Sequence, residues 1–195
     1  MTPNTTPAPT DARPLYVDLD GTLTRSDTLH ESAMLFVRAN PLNLLRMLSW
    51  LPLGKAGFKQ RLASAVRPDP ARLPYNEPFV QYLRDEHARG RPLVLASAAD
   101  ARIVQDVASH LAVFHDSLGT NAQADGINLS RGNKRAAIDA HARAQGHATW
   151  AYAGNSRDDL EVWAGSAEAV AVNAPSGVVS TLQRTHPQAR VFERE

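Results

Sequence analysis

Two aspartates one residue apart, Asp18 and Asp20, directly follow the apolar run Leu15–Val17. In an extended strand, residues i and i+2 point to the same side, so a turn at Gly21 lets both carboxylates face one small site. Two carboxylates at such close range repel each other unless a cation lies between them or one of them holds a proton. Such a pair can transfer a phosphoryl group, because one carboxylate attacks phosphorus while the other handles the proton of the leaving group. An exposed Asp-Gly turn is the alternative interpretation.

Apolar runs that are typical of short strands alternate with segments of helical pattern along most of the chain. The apolar runs cover residues 15–17, 92–96, 150–153 and 169–172, and the helical segments cover residues 101–111, 134–145 and 158–164. This alternation predicts a doubly wound α/β fold with a parallel, Rossmann-like sheet. Ligands bind beyond the carboxyl ends of the strands in such sheets. We therefore expect Asp18, Ser97 and Asn155, which each follow a predicted strand, to converge on one crevice.

Residues 26–90 interrupt this alternation with a segment that is mostly of helical pattern. Six prolines break it into short pieces, and no run in it is a convincing strand. The segment predicts a helical insertion after the first strand that covers the crevice. The predicted organisation is a disordered tail rich in Thr and Pro (1–14), an α/β core (15–25 and 91–195) and the helical insertion (26–90).

The composition bounds the classes of function. A formal net charge of +1 argues against a nucleic-acid-binding protein that relies on bulk electrostatics. The absence of cysteine excludes disulfides, thiolate zinc sites and cysteine nucleophiles. A metal must therefore be held by oxygen or imidazole ligands, and the carboxylates favour Mg²⁺. The tail lacks the apolar region of a signal peptide, so we expect a cytoplasmic protein.

One apolar segment, residues 33–53, approaches the length of a membrane span. A span needs about 20 largely uncharged residues. Polar residues and a proline interrupt this one, namely Arg38, Asn40, Pro41, Asn43 and Arg46, so we expect no transmembrane segment. The apolar residues from position 42 onward have helical spacing, which favours a helix packed into the core. The alternative is an interfacial helix in peripheral contact with a membrane, with Trp50 and Arg46 near lipid headgroups or a lipid-like substrate.

Four motifs follow one another in a defined order. They are Asp18-Leu19-Asp20-Gly21-Thr22, Leu95-Ala96-Ser97-Ala98, Lys134 after Gly132, and Gly154-Asn155-Ser156-Arg157-Asp158-Asp159. By this order and these residue types, residues 15–172 resemble the haloacid dehalogenase superfamily of phosphatases. The resemblance implies that residues 26–90 are the helical cap of that family. More narrowly, the chain is similar to the phosphatase-like domain that is joined to some membrane prenyltransferases.

The resemblance gives Asp18 and Asp20 separate roles. Asp18 would be the nucleophile that attacks phosphorus to form an aspartyl-phosphate, and it would also bind Mg²⁺. Asp20 would donate a proton to the leaving alkoxide and then activate water, and its backbone carbonyl would be a further metal ligand. An acid beside a poor leaving group contributes about 10²–10⁴ in rate. Gly21 and Thr22 complete this motif as supporting residues.

The second and third motifs imply a phosphate-binding site. The Ser97 hydroxyl and the backbone N–H of Ala98 would bind phosphate oxygens. Lys134 would balance the negative charge of the nucleophile and the phosphate, a role that suits a compact ammonium.

The fourth motif departs from the family at Asn155, where the family usually has Asp. Asn155 can still offer a carbonyl oxygen to a hard cation such as Mg²⁺. It removes one negative charge, however, so the affinity for Mg²⁺ should fall unless Asp158 compensates. Asp159 would steady the lysine of the third motif.

Together these residues predict a Mg²⁺-dependent phosphomonoester hydrolase that acts on a small-molecule phosphoester. A phosphomutase keeps both carboxylates and stays an open alternative. The apolar insertion, with Trp50, Phe58 and Phe79, slightly favours a prenyl-linked or otherwise apolar substrate, although a core role explains those side chains better. A second alternative is a non-catalytic binding or regulatory protein linked to prenyl-lipid metabolism, which Asn155 and the apolar helical segment of residues 42–51 favour.

Overall fold

Six parallel strands form one sheet in the structure, a computed structural model that describes residues 13–121 and 127–193. The strands are β1 (Leu15–Val17), β2 (Leu93–Asp100), β3 (Asp116–Thr120), β4 (Ala151–Gly154), β5 (Glu168–Val172) and β6 (Arg190–Phe192). Their order across the sheet is β3-β2-β1-β4-β5-β6. β1 lies between β2 and β4, and Val17 pairs with Leu95 on one side and Ala153 on the other. The predicted doubly wound parallel fold is confirmed.

Eight helices connect the strands within the described ranges. They are α1 (Thr28–Ala39), α2 (Asn43–Leu48), α3 (Gly54–Ala65), α4 (Glu77–Ala88), α5 (Ala101–Leu111), α6 (Arg131–Ala144), α7 (Leu160–Trp163) and α8 (Ser176–Thr185). Short 3₁₀ turns cover Leu51–Leu53, Pro70–Arg72 and Arg157–Asp159.

Alternate residues of the strands pack on opposite faces of the sheet. On one face, Leu15 and Val17 join a buried cluster with α4 and α5, in which Phe79 of α4 is fully buried. On the other face, Tyr16 and Tyr152 pack against α6, α7 and α8. Because β1 and β4 are covered on both faces, their sequences are apolar throughout instead of alternating.

Three elements were not predicted from the sequence: β3, β6 and α8. The two strands lie at the edges of the sheet, where β3 is partly buried and β6 is largely exposed, so neither shows the apolar run of a buried strand. Two predicted boundaries were also wrong. β2 continues to Asp100, so Ser97 and Ala98 lie within the strand instead of after it. α6 begins at Arg131, so Lys134 lies inside this helix and does not open it.

Helices α1 to α4 occupy the predicted insertion. α1 contacts both α2 and α3, whereas α4 packs its apolar face into the same cluster as β1 and β2. The bounds of the cap, residues 26–90, stay a prediction, as does the disordered tail of residues 1–14. Only Arg13 and Pro14 of that tail lie within the described ranges, and the Pro14 carbonyl accepts a hydrogen bond from the Ala151 N–H at 2.9 Å.

The segment formed by α2 and the following 3₁₀ turn is not packed into the core. None of the residues in either element is buried. The interpretation of this segment as a core helix is therefore wrong, because periodicity shows which face of a helix is apolar but not whether anything covers that face. Among the described residues, no helix is long and apolar enough to cross a membrane.

Candidate active site

The loop after β1 holds Asp18 at the edge of the sheet. The Asp18 N–H donates to the Ala153 carbonyl of β4 at 2.9 Å, which extends the strand pairing by one residue. The chain then turns at Gly21, whose φ of +77° is readily adopted only by glycine. Asp18 is only 7% exposed, and its Oδ2 accepts a hydrogen bond from the Thr22 hydroxyl at 3.3 Å. The turn therefore places a buried carboxylate at the carboxyl end of β1.

Lys134 and Tyr152 link Asp18 to Asp159. The Nζ of Lys134 donates to Asp18 Oδ1 at 2.7 Å and to the Tyr152 hydroxyl at 2.9 Å. That hydroxyl donates in turn to Asp159 Oδ1 at 2.6 Å. Lys134 Nζ lies 3.7 Å from the same Asp159 oxygen, so the tyrosine bridges the ammonium and the second carboxylate. All four side chains are buried, where charges interact more strongly than in water.

The turn after β4 fixes the carboxylate of Asp159. Its Oδ2 accepts hydrogen bonds from the Asn155 N–H at 3.1 Å, the Ser156 N–H at 2.9 Å and the Ser156 hydroxyl at 2.8 Å. Burial alone would raise the pKa of Asp159, but Lys134 and the hydrogen bonds from Tyr152 and Ser156 outweigh burial and lower this pKa. Asp159 is therefore an anion at neutral pH and holds the ammonium in place.

The two aspartates of the first motif have raised pKa values. Burial raises the pKa of Asp18 to about 7, aided by the charges of Asp159 and Asp20 and opposed by Lys134. Burial also raises the pKa of Asp20, against a hydrogen bond that its Oδ1 accepts from the Thr28 N–H at 2.7 Å. For Asp20, a raised pKa means that the carboxyl holds its proton closer to neutral pH, as a general acid must.

Ser97 and Ala98 lie on β2, beside the end of β1. Ser97 is 1% exposed, and its hydroxyl oxygen accepts a hydrogen bond from the Ala99 N–H at 3.0 Å. Because the oxygen is the acceptor in that bond, the hydroxyl hydrogen can donate to another group, such as a phosphate oxygen. The Ala98 carbonyl accepts hydrogen bonds from Lys59 Nζ at 2.6 Å and from the Thr120 hydroxyl at 2.8 Å, which tie the end of β2 to α3 and β3.

A cavity with a volume of about 510 Å³ opens beside Asp20. Its walls come from α1, α3, the end of β2 and the segment before α6. Asp27 and Asp158 line it together with Asp20, and Lys55 and Lys59 contribute ammonium groups from α3. The apolar side chains that line it are Leu29, Leu51, Phe58, Leu62 and Ile103. The cavity therefore offers both charged groups and apolar side chains to a ligand.

Two residues of this site were not indicated by the sequence. Lys59 also donates to Asn128 Oδ1 at 2.8 Å, and burial lowers the pKa of Lys59 although Asp20 and Asp27 raise it. No spacing relative to the motifs marks Lys59, because its position depends on how α3 folds over the sheet. Tyr152 has the pattern of an ordinary core residue in a buried strand, and only its polar tip distinguishes it.

Residues 15–163 match the family model of the haloacid dehalogenase-like hydrolases. The chain belongs to this family. It is also 32% identical over 183 residues to the uncharacterized protein y4nM of Sinorhizobium fredii, which aligns 93% of this chain with 34% of that protein. The chain thus spans about a third of the length of that relative.

Solved structures share the fold of this haloacid dehalogenase-like hydrolase. A protein of unknown function from Bordetella pertussis Tohama I is similar with a TM-score of 0.73 at 16% identity, over 93% of this chain and 98% of that chain. A substrate-bound phosphoserine phosphatase is similar with a TM-score of 0.63 at 13% identity, over 93% of each chain. At these identities the similarity confirms the fold alone.

The residues around Gly21 suit the Mg²⁺ ion that this hydrolase family implies. A Cβ at Gly21 would overlap the side-chain amide of Asn155, so the glycine makes room for this amide. Asp18, Asp20 and Asn155 offer only hard oxygen donors, which suit Mg²⁺ better than a softer metal. Among the described residues, no group of three or more carboxylate, imidazole or thiolate side chains could hold a metal. An ion here would therefore need the Asn155 amide or backbone oxygens beside the two carboxylates.

Asp158 pairs with an arginine side chain. Its carboxylate forms an ion pair with Arg131 at 2.8 Å and is half exposed. Compensation by Asp158 for the charge that is lost at Asn155 stays a prediction, and the ion pair with Arg131 opposes it.

Proposed function

We propose that this haloacid dehalogenase-like hydrolase is a Mg²⁺-dependent phosphatase that hydrolyses phosphomonoesters through Asp18. One observation carries the proposal: the buried Lys134 ammonium lies 2.7 Å from Asp18 Oδ1. Asp18 is two residues before Asp20, which lines the cavity. A carboxylate that attacks an anionic phosphoryl group needs a fixed cation to offset the repulsion between the two. Lys134 supplies that cation, and Asp159 and Tyr152 hold it there.

The proposed reaction has two displacement steps. In the first, an Asp18 oxygen attacks phosphorus, the ester P–O bond breaks, and Asp20 gives its proton to the leaving alkoxide. In the second, Asp20 takes a proton from the water molecule that attacks the aspartyl-phosphate, and inorganic phosphate leaves as Asp18 is regenerated. The raised pKa of Asp20 supports its role as the acid in the first step. The Ser97 hydroxyl and the Ala98 N–H would bind the phosphoryl oxygens.

Mg²⁺ would be held by Asp18, the backbone carbonyl of Asp20 and Asn155. When bound, the ion supplies positive charge to the transferred phosphoryl group. Because Asn155 is neutral, we propose that this site binds Mg²⁺ more weakly than one with Asp at that position. Substitution of Asn155 by Asp should therefore raise the affinity for Mg²⁺.

The substrate in this proposal is a small-molecule phosphoester with an apolar group. The apolar side chains that line the cavity, which include Phe58 and Ile103, support a ligand of this kind. A prenyl chain is one such group. A cytoplasmic location, expected from the sequence, belongs to the same proposal.

Release of inorganic phosphate from p-nitrophenyl phosphate and from glycerol phosphate tests the proposal. Asp18→Asn should abolish hydrolysis of both esters, and removal of Mg²⁺ with a chelator should do the same. Asp20→Asn should slow hydrolysis of glycerol phosphate by about 10²–10⁴. It should affect p-nitrophenyl phosphate less, because p-nitrophenolate leaves without a proton. Asp85→Asn, an exposed change on α4, is the matched control and should leave both rates unchanged.

A non-catalytic binding or regulatory protein linked to prenyl-lipid metabolism is the competing hypothesis, which Asn155 favours. If the wild type and Asp18→Asn are equally inert on a panel of phosphoesters at saturating Mg²⁺, the phosphatase proposal fails. Transfer of the phosphoryl group to a second hydroxyl of the substrate, without release of inorganic phosphate, would instead indicate a phosphomutase.

A further inference from the structure

Six leucines form an exposed surface on α2 and the 3₁₀ turn that follows it. We call this surface the leucine face, and its members are Leu42, Leu44, Leu45, Leu48, Leu51 and Leu53. Each of them is between 46% and 69% exposed. Met34 and Leu35 of the neighbouring α1 are exposed as well. Single exposed leucines are ordinary, but six in twelve residues form the kind of apolar patch that marks an interaction surface.

The segment that carries the leucine face is firmly attached to α1. The Trp50 ring stacks on the buried Phe36 ring with 5.3 Å between the centroids, and the Asn43 side chain donates to the Phe36 carbonyl at 2.9 Å. The Arg46 guanidinium lies 5.6 Å from the Trp50 centroid. The aromatic and polar side chains thus anchor the segment, while the leucines stay largely exposed and Leu51 also borders the cavity.

All the charged residues in the sequence around the leucine face are cationic. Residues 32–68 contain six Lys and Arg side chains and no Asp or Glu. Lys59 is bonded inside the cavity and Arg67 pairs with Asp106. For the other four, Arg38, Arg46, Lys55 and Arg61, the described residues provide no ion pair. The leucine face therefore belongs to a stretch of sequence in which every charged side chain is a cation, and four of these cations form no ion pair within the described residues.

We propose that the leucine face docks the protein on an anionic lipid bilayer. Insertion of the leucines below the headgroups removes them from water, while the arginines meet the lipid phosphates. Trp50, with Arg46 over its ring, lies where an interfacial tryptophan is stable. A second copy of the chain fits less well. A two-fold interface would place the same unneutralised cations of both copies against each other.

Flotation of the full chain with vesicles tests this proposal without any substrate, so the result is independent of the phosphatase proposal. The probes are vesicles of phosphatidylglycerol alone and of phosphatidylcholine alone. We expect binding to the anionic vesicles that weakens as salt screens the charges, and much weaker binding to the neutral ones. Equal binding to both lipids, or no binding to phosphatidylglycerol at low salt, would overturn the proposal.

Two pairs of variants separate the apolar and the charged contributions. Leu45→Ser and Leu48→Ser should each weaken binding to phosphatidylglycerol at least about ten-fold, whereas Val191→Ser, an exposed change on β6, should not. Arg46→Gln should weaken it about five-fold, whereas Arg184→Gln on α8 should not. Denaturation midpoints equal to that of the wild type show that these exposed changes leave the fold intact. If the leucine variants bind vesicles like the wild type, the lipid is refuted as the partner. A concentration-dependent dimer of the wild type that the leucine variants abolish would refute it as well.

Discussion

Substitution of Tyr152 by Phe removes the hydroxyl that bridges Lys134 and Asp159. Both of its hydrogen bonds involve charged groups, at 2.9 Å and 2.6 Å, and such bonds contribute about 1.5–3 kcal/mol each. The loss is partly offset because Asp159 keeps three hydrogen bonds through Oδ2. The distance of 3.7 Å between Lys134 Nζ and Asp159 Oδ1 can also shorten. We therefore expect the free energy of unfolding at neutral pH to fall by about 2–4 kcal/mol.

The destabilisation by Tyr152→Phe should depend on pH. The pKa of Asp159 is lowered in the folded protein, so the stability that its ionised form contributes is present above the unfolded-state pKa and is lost as the pH falls through the folded-state pKa. The hydrogen bond from the Tyr152 hydroxyl supplies part of the stability that ionised Asp159 contributes. The difference between wild type and variant should therefore shrink below the ordinary aspartate pKa of about 3.9.

Urea denaturation at neutral and at acidic pH measures both effects. Tyr16→Phe is the matched control, because among the described residues the Tyr16 hydroxyl bonds the His141 ring alone, at 2.8 Å and outside the site. That change should cost about 0.5–1.5 kcal/mol. If Tyr152→Phe costs no more than the control, or costs the same at both pH values, the bridge between ammonium and carboxylate does not stabilise the site as argued.

Two further predictions concern a turn and a buried ion pair. Gly21→Ala should destabilise the protein by more than the roughly 1–2 kcal/mol that a left-handed φ costs, because its Cβ also displaces Asn155, and Mg²⁺ affinity should fall with it. Gly90→Ala is the control for the backbone cost alone, because φ is +82° at Gly90 and no atom lies within 4 Å of the new Cβ. If urea denaturation gives the same loss of stability for both variants, Gly21→Ala does not displace Asn155. Arg91→Met should cost about 3–5 kcal/mol, because this buried guanidinium pairs with two carboxylates. The exposed Arg89→Met should cost under about 1 kcal/mol, and similar denaturation midpoints for the two variants would refute the argument.

The location of the site could be predicted because parallel strands bring their carboxyl ends to one edge. The structure brings together Asp18, Lys134 and Asp159, which are distant in sequence, in one buried network. Lys59 could not be predicted, since the path of the insertion over the sheet depends on tertiary packing. The exposure of α2 could not be predicted either, because a helical apolar pattern is the same whether the covering partner is the protein's own core or another molecule.

The hydrogen bond between Thr28 and Asp20 makes the first helix of the insertion responsive to the proton on this carboxyl group. Thr28 is the first residue of α1, and its N–H belongs to the positive end of that helix. An ionised Asp20 accepts this bond more strongly than a protonated one. Transfer of the proton would then tighten α1 over the cavity, and its return would loosen the helix. The protection factor of the Thr28 amide hydrogen, which compares its exchange rate with that of an unstructured amide at the same pH, should accordingly increase as the pH rises through the pKa of Asp20. A protection factor without such a step would disprove the coupling.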